Sequence, residues 1–219
     1  MQVTGAWLAA AVGGRLTSGD AGAVIGRVET DSRRVGPGDL FVALRGPRFD
    51  GRAFAGEALA RGAMGVMVGG GPWTAPAPAG GVVPVVIEVS DAIEALQRFA
   101  AAVRRAVSTT VVAITGSAGK TTTKETIAAL LSGSFRVVKN EGNLNNHIGL
   151  PLSLLRLREA PDVAVMELGM NHAGEISALV AIADPDVRVW TNVGDAHLGF
   201  FSSSDALADA KAEIGRAHV

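Results

Sequence analysis

The order of apolar and polar positions divides the chain into two stretches of different pattern. Up to about residue 90, short apolar runs alternate with loops rich in glycine, proline and charge. The apolar runs predict three strands and one helix: 39–44, 65–70 and 82–89 as strands, and 54–63 as a helix. Pro84 has no backbone donor, so it places the third strand at a sheet edge or delays its start. The Gly/Pro-rich residues 69–81 are interpreted as a loop within one domain rather than as a linker.

The second stretch begins at residue 111, where apolar runs become continuous, as expected of strands buried on both faces. Its predicted strands are 111–114, 135–139, 162–168 and 186–193. Its predicted helices are 122–133, which ends at Gly133, 149–157 and 173–183, and a last helix begins within 208–214. Strands that alternate with helices imply right-handed crossovers and a parallel sheet. A predicted amphipathic helix with Ser90 as its N-cap precedes this stretch.

The composition argues against several classes of function. A formal net charge of -1 without a basic stripe gives no support for nucleic-acid binding. The sequence has no cysteine, which excludes disulfides and thiolate metal sites and fits a cytoplasmic protein. No apolar stretch approaches the ~20 residues that span a bilayer, and the N-terminus lacks the basic start of a signal peptide. We therefore expect no membrane insertion.

A glycine-rich loop, TGSAGKTT, separates the predicted strand 111–114 from a helix. Two glycines allow close approach to a ligand, and N–H groups at a helix start favour an anion. Lys120 would neutralise phosphates, and the Thr121 hydroxyl would ligate Mg²⁺. The predicted ATP-binding residues are Thr115, Gly116, Ser117, Ala118, Gly119, Lys120, Thr121 and Thr122. Ile114 occupies the first glycine position of the common P-loop, so a fortuitous turn with a solvated lysine is the alternative.

Two further polar residues follow predicted strands. Glu167 ends the strand 162–168, and His197 follows the strand 186–193. Since ligands bind beyond the carboxyl ends of parallel strands, Lys120, Glu167 and His197 are expected to converge. Glu167 is interpreted as a Mg²⁺ ligand rather than a capping or surface acid. For His197, a loop histidine bonded to backbone is the alternative, because Mg²⁺ prefers oxygen.

Several motifs in one order resemble the Mur ligases of peptidoglycan synthesis: ITGSAGKTTTKE, NEGNLNNHIGLPLSLL, MELGMNHAGEI and TNVGDAHLGFF. The N-terminal TDSRRVGPGDLFVALRGPRFDG is similar to the nucleotide-sugar-binding domain of that family. The resemblance spans nearly the whole chain and is greatest for the branch that adds D-Ala-D-Ala. The Thr-Thr-Pro and Ser-Ser-His stretches expected of the branch that adds diaminopimelate or lysine are absent.

The resemblance implies an ATP-dependent amide ligase that adds D-Ala-D-Ala to UDP-N-acetylmuramoyl-tripeptide (UDP-MurNAc-tripeptide) through an acyl phosphate, with Mg²⁺. It implies that Lys120, Glu167, His197 and Lys211 are catalytic. Thr121 and Glu167 would hold one Mg²⁺, His197 would help to place a second, and Lys211 would be carbamylated to ligate metal. A solvated helix lysine is the alternative for Lys211.

The resemblance also points to residues that contact the sugar-peptide substrate. These are Ser32 and Arg33 near the uridine diphosphate, and Asn143, Asn145 and Asn146 near the peptide. Turn or cap chemistry is the alternative for all of them.

The predicted fold class is α/β. A small α/β domain with its connecting helix covers 1–106, and a truncated P-loop ATPase domain with a parallel sheet covers 107–219. Truncation is expected because three α/β units would leave a sheet edge and face uncovered. The final EIGRAHV resembles translated sequencing adapter, so residues 215–219 carry no functional interpretation.

We expect a monomer that binds ATP weakly and does not ligate by itself. The alternatives are another ligase of the superfamily, tripeptide-forming or folylpolyglutamate-type, and a non-catalytic nucleotide-binding module.

Overall fold

The structure, a computed structural model, describes residues 1–76, 82–194 and 203–216, and the chain forms two compact units, Met1–Phe99 and Ala100–Val219. The helices are α1 Gly5–Val12, α2 Ala55–Ala60, α3 Ala92–Arg105, α4 Lys120–Leu131, α5 Gly149–Leu154, α6 Glu175–Ala183 and α7 Ser204–Arg216. The strands are β1 Arg15–Ser18, β2 Val28–Glu29, β3 Leu40–Ala43, β4 Arg45–Gly46, β5 Phe49–Asp50, β6 Gly65–Val68, β7 Val85–Glu88, β8 Thr110–Thr115, β9 Val137–Lys139, β10 Val163–Glu167 and β11 Val187–Trp190. Three short 3₁₀ helices cover Ser32–Arg34, Gly51–Phe54 and Leu155–Glu159. The predicted domain boundary at 106 lies just past α3 and stays a prediction.

The sheet of the N-terminal unit is mixed. Its order is β1-β7-β6-β3-β2, with β1 antiparallel to β7 and the other pairs parallel. β7 begins at Val85, directly after Pro84, and lies inside the sheet. The sequence left two alternatives for this strand, a place at the sheet edge or a start after Pro84. The second is correct. The residue without an N–H precedes the ladder instead of interrupting it.

The core of this unit forms between the central strands and α2. Phe41, Val66 and Val86 pack with Ala55 and Ala58 of α2 in one buried cluster. All four residues of both β3 and β6 are buried, as expected for strands covered on both faces.

The first helix was not predicted from the sequence, although it carries two end signals. The Thr4 side chain accepts from the N–H of Trp7, and Gly13 closes the helix with a φ of 66°. Trp7 also packs edge-to-face on Phe99, with 6.1 Å between ring centroids. A polar residue followed by an alanine-rich run and two glycines is thus enough to delimit α1.

The sheet of the C-terminal unit is parallel, as predicted. Its order is β11-β8-β10-β9, and every neighbouring pair is parallel. Val112, Ile114 and Val165 pack against Ala128 of α4. Residues that alternate with these, such as Met166, are also fully buried, so the central strands are covered on both faces. The carboxyl ends of β8 and β10 therefore lie side by side.

Two local predictions need correction. Asp91, not Ser90, caps α3, because its carboxylate accepts from the N–H of Glu94 at 2.8 Å. The predicted helix 149–157 is α-helical only to Leu154 and continues as a 3₁₀ turn. Within the described part of the chain, no helix has the length and apolar character needed to cross a membrane.

Candidate functional site

The glycine loop lies between β8 and α4 and depends on two unusual backbone conformations. Gly116 has a φ of 150° and Gly119 a φ of 79°. A Cβ at Gly116 would lie 1.9 Å from Oγ1 of Thr191, so only glycine fits there. Gly119 precedes α4 and no side chain caps this helix. N–H groups of the first turn therefore face away from the helix with the partial positive charge that favours an anion.

Part of the loop is held by the segment after β11. The N–H groups of Ser117 and Ala118 donate to the backbone and side-chain oxygens of Asn192, at 3.1 and 2.9 Å. The ammonium of Lys120 donates to the backbone oxygen of Gly116 at 2.8 Å. These contacts hold the loop in a curved conformation in which its donors are already hydrogen-bonded to protein oxygens. A phosphate that bound here would replace Asn192 and Gly116 as acceptors.

Glu167 forms the centre of a buried polar cluster at the end of β10. Only 4% of Glu167 is exposed. Its Oε2 accepts from the Thr121 hydroxyl at 2.8 Å, and its Oε1 accepts from Nδ2 of Asn145 at 2.9 Å. The ammonium of Lys124, itself 1% exposed, lies 3.9 Å from Oε2. The structure thus brings the predicted residues Thr121 and Glu167 into direct contact.

Lys211 lies on α7 and is also buried, with 1% of its surface exposed. Burial and, to a smaller extent, the nearby positive charge of Lys120 together lower the pKa of its ammonium to about 8. The carboxylate of Glu213 on the same helix accepts from the N–H groups of Gly174 and Ser177, which docks α7 on the start of α6. Lys211 is therefore held beside the glycine loop rather than solvated.

The predicted asparagines differ in their surroundings. Asn143 is exposed. Asn146 is also exposed, and its side chain accepts from the N–H groups of Ile148 and Gly149, which is ordinary asparagine turn chemistry just before α5. Asn145 instead points at Glu167. Their role in substrate binding stays a prediction.

The remaining predicted residues of the loop are placed as follows. Thr115 is buried and its hydroxyl donates to the backbone oxygen of Leu168 at 3.2 Å, while Thr122 is exposed. His197 falls outside the described residues. Of the expected cation, carboxylate and imidazole, the first two lie at the ends of neighbouring strands.

The oxygen atoms at this site fit Mg²⁺ better than a softer metal. Thr121 Oγ1 and Glu167 Oε2 are 2.8 Å apart, close to the ~3.0 Å between adjacent ligands of an octahedron with Mg–O bonds of about 2.1 Å. In residues 1–76, 82–194 and 203–216, no group of three or more His, Asp or Glu side chains could hold a metal ion. A metal would therefore depend on Thr121, Glu167 and oxygens of a bound phosphate.

The N-terminal unit contains a separate cavity of about 590 Å³. It is lined by Thr30, Asp31, Ser32, Arg33, Phe41, Phe49, Gly51, Phe54, Glu57 and Arg61. Asp31 accepts from the N–H of Arg33 and from its guanidinium, with contacts of 2.9 and 2.7 Å to the latter. The bonded Arg33 lowers the pKa of the Asp31 carboxyl to about 2. Both predicted residues, Ser32 and Arg33, line a cavity of a size that accommodates small ligands.

Comparison with known proteins accounts for both units. The model of the Mur ligase family, catalytic domain, matches residues 24–104, and the model of the Mur ligase middle domain matches residues 114–219. The chain belongs to the Mur ligase family. The α/β fold and the family predicted from the sequence are therefore confirmed.

Individual members of the Mur ligase family are similar over most of this chain. The UDP-N-acetylmuramoyl-tripeptide–D-alanyl-D-alanine ligase of Bacillus subtilis is 42% identical over 87% of this chain, which matches 41% of that protein. A structure of MurF from Acinetobacter baumannii superposes with a TM-score of 0.89 and 36% identity over 100% of this chain and 47% of its own. MurF of Thermotoga maritima in complex with ADP has a TM-score of 0.76 and 38% identity over 86% of this chain and 42% of its own. The chain thus spans about two fifths of the length of the curated relatives it matches.

The structure adds residues that contact the predicted ones but were not themselves predicted from the sequence: Lys124, Asn140 and Asn192. Asn140 directly follows the predicted strand 135–139, so the rule that identified Glu167 would have found it. Lys124 follows Thr121 by one helical turn and shares its face. No pattern in the sequence predicted the contact of Asn192 with the loop, because this contact joins residues that are 74 positions apart.

Proposed function

We propose that this chain supplies the sugar-nucleotide-binding and ATP-binding parts of an ATP-dependent ligase that adds D-Ala-D-Ala to UDP-MurNAc-tripeptide. The observation that carries the proposal is the direct contact of Thr121 and Glu167 at the start of α4, beside the glycine loop. A loop hydroxyl paired with a buried carboxylate is the arrangement that holds the Mg²⁺ of a bound nucleotide. The names of the relatives and the ADP bound to the Thermotoga maritima protein support the same assignment.

The chemical task is to bring a peptide carboxylate to the γ-phosphate of ATP, although both are negatively charged. The carboxylate oxygen forms a bond to the γ-phosphorus while the bond from that phosphorus to the β-phosphate oxygen breaks, which releases ADP. The amine of the dipeptide then attacks the acyl carbon, inorganic phosphate leaves, and the nitrogen loses a proton as the amide forms. Lys120 would move from Gly116 to the phosphates and offset their charge. Mg²⁺, held by Thr121 and Glu167, would stabilise the charge on the transferred phosphoryl group.

Lys211 suits the carbamylation that the family resemblance implies. Carbamylation requires the neutral amine, and a pKa of about 8 leaves a larger neutral fraction near pH 7 than an ordinary lysine has. In this proposal the modified Lys211 and His197 contribute to a second metal position. Both assignments stay predictions.

The cavity of the N-terminal unit would take the uridine diphosphate of the sugar substrate. Arg33 offers a charge-assisted donor to a diphosphate, and exposed Phe49 and Phe54 offer apolar faces to a base. Asn143, Asn145 and Asn146 would contact the peptide. The proposed setting is a monomer in the cytoplasm that acts in cell-wall synthesis, and so in cell shape, division and the cell cycle, without binding nucleic acid.

The test uses the protein encoded by the whole reading frame that contains this sequence. We expect phosphate release only when UDP-MurNAc-tripeptide, D-Ala-D-Ala, ATP and Mg²⁺ are all present, and loss of release in Lys120→Ala. Stimulation by diaminopimelate or lysine with a shorter acceptor would assign the chain to the tripeptide-forming ligases. Stimulation by glutamate with a folate would indicate a folylpolyglutamate synthetase.

Two outcomes would contradict the proposal in other ways. ATP binding without phosphate release for any amine would indicate a non-catalytic nucleotide-binding module. Ligation by the 219-residue chain alone would refute the expectation that further domains are needed, while leaving the assigned reaction intact.

A further inference from the structure

Asn140 completes the pairing between β9 and β10 with its side chain. The backbone ladder between these strands ends at the pair Val165 and Lys139, but β10 continues to Glu167. There the amide of Asn140 donates to the backbone oxygen of Glu167 and accepts from its N–H, both at 3.0 Å. One side chain thus satisfies both backbone groups of Glu167 while the chain of β9 turns away. Asn140 is 1% exposed, so no water shares these bonds at its surface.

The same residue fixes the loop that carries Asn145. Nδ2 of Asn140 also donates to the backbone oxygen of Leu144 at 3.0 Å. The backbone oxygen of Asn145 accepts from the N–H of Gly169 at 2.9 Å, and a Cβ at Gly169 would lie 2.8 Å from Oδ1 of Asn145. The loop is therefore held closely against the end of β10. Its Asn145 side chain contacts Oε1 of Glu167 from that position.

The backbone oxygen of Asn140 holds the third element, α4. It accepts from the ammonium of Lys124 at 2.9 Å, and Lys124 lies 3.7 Å from the Glu125 carboxylate and 3.9 Å from that of Glu167. Lys124 therefore links α4 to both Asn140 and Glu167. Through these contacts one buried asparagine joins the end of β9, the end of β10, the asparagine loop and the helix that carries Thr121.

An amide is the side chain that this position requires. Asn140 uses its oxygen as an acceptor and its NH₂ as a donor toward a single residue. A carboxylate cannot donate, and an aliphatic side chain can do neither. Loss of the amide would leave both backbone groups of Glu167 without their partner in a buried place. The carboxylate would then lose its fixed position relative to Thr121.

We propose that Asn140 is a positioning residue, which clamps the backbone of Glu167 and anchors Lys124 so that the carboxylate, Thr121 and Asn145 keep the geometry needed for a Mg²⁺-bound nucleotide. The inference rests on the proposed function, because it assigns to Glu167 and Thr121 the binding of metal. It adds a residue outside the glycine loop, whose side chain bonds the backbone groups of Glu167 and Leu144.

The experiment measures how much Mg²⁺ the protein needs to bind ADP. The protein of the whole reading frame is titrated with ADP by calorimetry at a series of Mg²⁺ concentrations, for the wild type, Asn140→Leu and Asn140→Thr. We expect Asn140→Leu to raise the Mg²⁺ concentration at half-saturation about tenfold or more, and Asn140→Thr, which retains one hydrogen-bonding group, to raise it less. The affinity for ADP without Mg²⁺ should change less than about twofold, because the backbone donors of the glycine loop are untouched.

Thr109→Val is the matched control for lost stability. The buried Thr109 hydroxyl donates to the backbone oxygen of Pro161 at 2.7 Å, just before β8 begins and thus at the end of the strand opposite the site. The variant should lower the midpoint of thermal unfolding without changing the Mg²⁺ requirement. A requirement in Asn140→Leu equal to that of Thr109→Val would overturn the positioning role.

A second readout separates the clamp from the proposed function. Amide hydrogen exchange at the N–H of Glu167, followed by NMR, should be slow in the wild type and Thr109→Val, and at least about tenfold faster in Asn140→Thr. Equal exchange in all variants would refute the clamp. If the wild type binds ADP with no dependence on Mg²⁺, the proposed function fails, while the exchange result still decides whether Asn140 holds Glu167.

Discussion

The two units hold their polar residues in different ways. In the N-terminal cavity, Asp31 and Arg33 are two positions apart and the side chain of Arg33 is 79% exposed. In the C-terminal site, Thr121 and Glu167 are 46 positions apart, and Lys124 and Glu167 are almost completely buried. The first arrangement comes from a local turn, and the second exists only once the sheet has assembled. Local motifs can thus be identified from a few residues, whereas a preorganised charged site depends on the whole unit.

The same difference appears in the two large pKa shifts. A hydrogen-bonded neighbour stabilises the ionised carboxylate of Asp31 and lowers its pKa to about 2. Burial disfavours the ammonium of Lys211 and lowers its pKa to about 8. A change in the N-terminal cavity should therefore affect stability little, while a change in the C-terminal site should affect it strongly.

The largest effect is expected for Lys124→Met, which keeps the side-chain volume and removes the charge beside buried Glu167. Breaking such a pair leaves a buried charge without its partner and should lower the free energy of unfolding by about 4 kcal/mol. Urea denaturation of the wild type and the variant measures this loss of unfolding free energy. Arg136→Met is the control, because the pair of Arg136 with Asp162 is exposed and its loss should hardly change stability. Equal losses for both variants would remove the contrast between buried and exposed charges.

The glycine loop should show the next largest effect. Gly116→Ala places a Cβ against Thr191 and should cost about 3 kcal/mol, from the clash and the backbone strain together. Gly119 also has a positive φ, 79°, but open space around an added Cβ, so Gly119→Ala should cost only about 1 kcal/mol. Denaturation of both variants measures the difference. A larger loss for Gly119→Ala would show that backbone conformation, rather than contact with Thr191, limits this loop.

Lys211→Met tests the buried amine through its pH dependence. At pH 7 the wild type carries the cost of a buried charge, so the variant should be more stable by about 2 kcal/mol in buffer freed of bicarbonate. Since the pKa in the folded state is lower than in the unfolded state, the cost to the wild type disappears as the pH rises from about 8 to about 10.5. Urea denaturation of both proteins at several pH values measures how the stability difference changes with pH. A constant difference across that window would contradict the shift.

Asp31→Asn should have the smallest effect on folding. The Asp31 carboxylate is partly exposed and its contacts with Arg33 are local, so the loss of stability should be small. Its contribution is present above the ordinary pKa of 3.8 and is lost as the pH falls toward about 2. Thermal unfolding of both proteins from pH 7 to pH 2 should therefore show the two curves converging at acid pH. Curves that stay apart at pH 2 would indicate a role of Asp31 beyond its charge.

The sequence was most informative where the signal was local. The continuous apolar runs predicted β8 and β10, and the glycine pattern predicted the loop before α4. The contacts of Asn140 and Asn192 were not predicted, because each joins segments that only the assembled sheet brings together. In the N-terminal unit, β2 has two residues and β1 is never fully buried, so neither had an apolar run to reveal it.

Asn192 gives the glycine loop an internal competitor for its ligand. Because its two oxygens already accept from Ser117 and Ala118, nucleotide binding at these groups is an exchange of acceptors rather than the filling of unused donors. The net gain for a phosphate is smaller than the number of its hydrogen bonds suggests. In return these contacts hold the curvature of the loop, and a phosphate that replaced Asn192 as acceptor would release the bonds from Ser117 and Ala118 to Asn192.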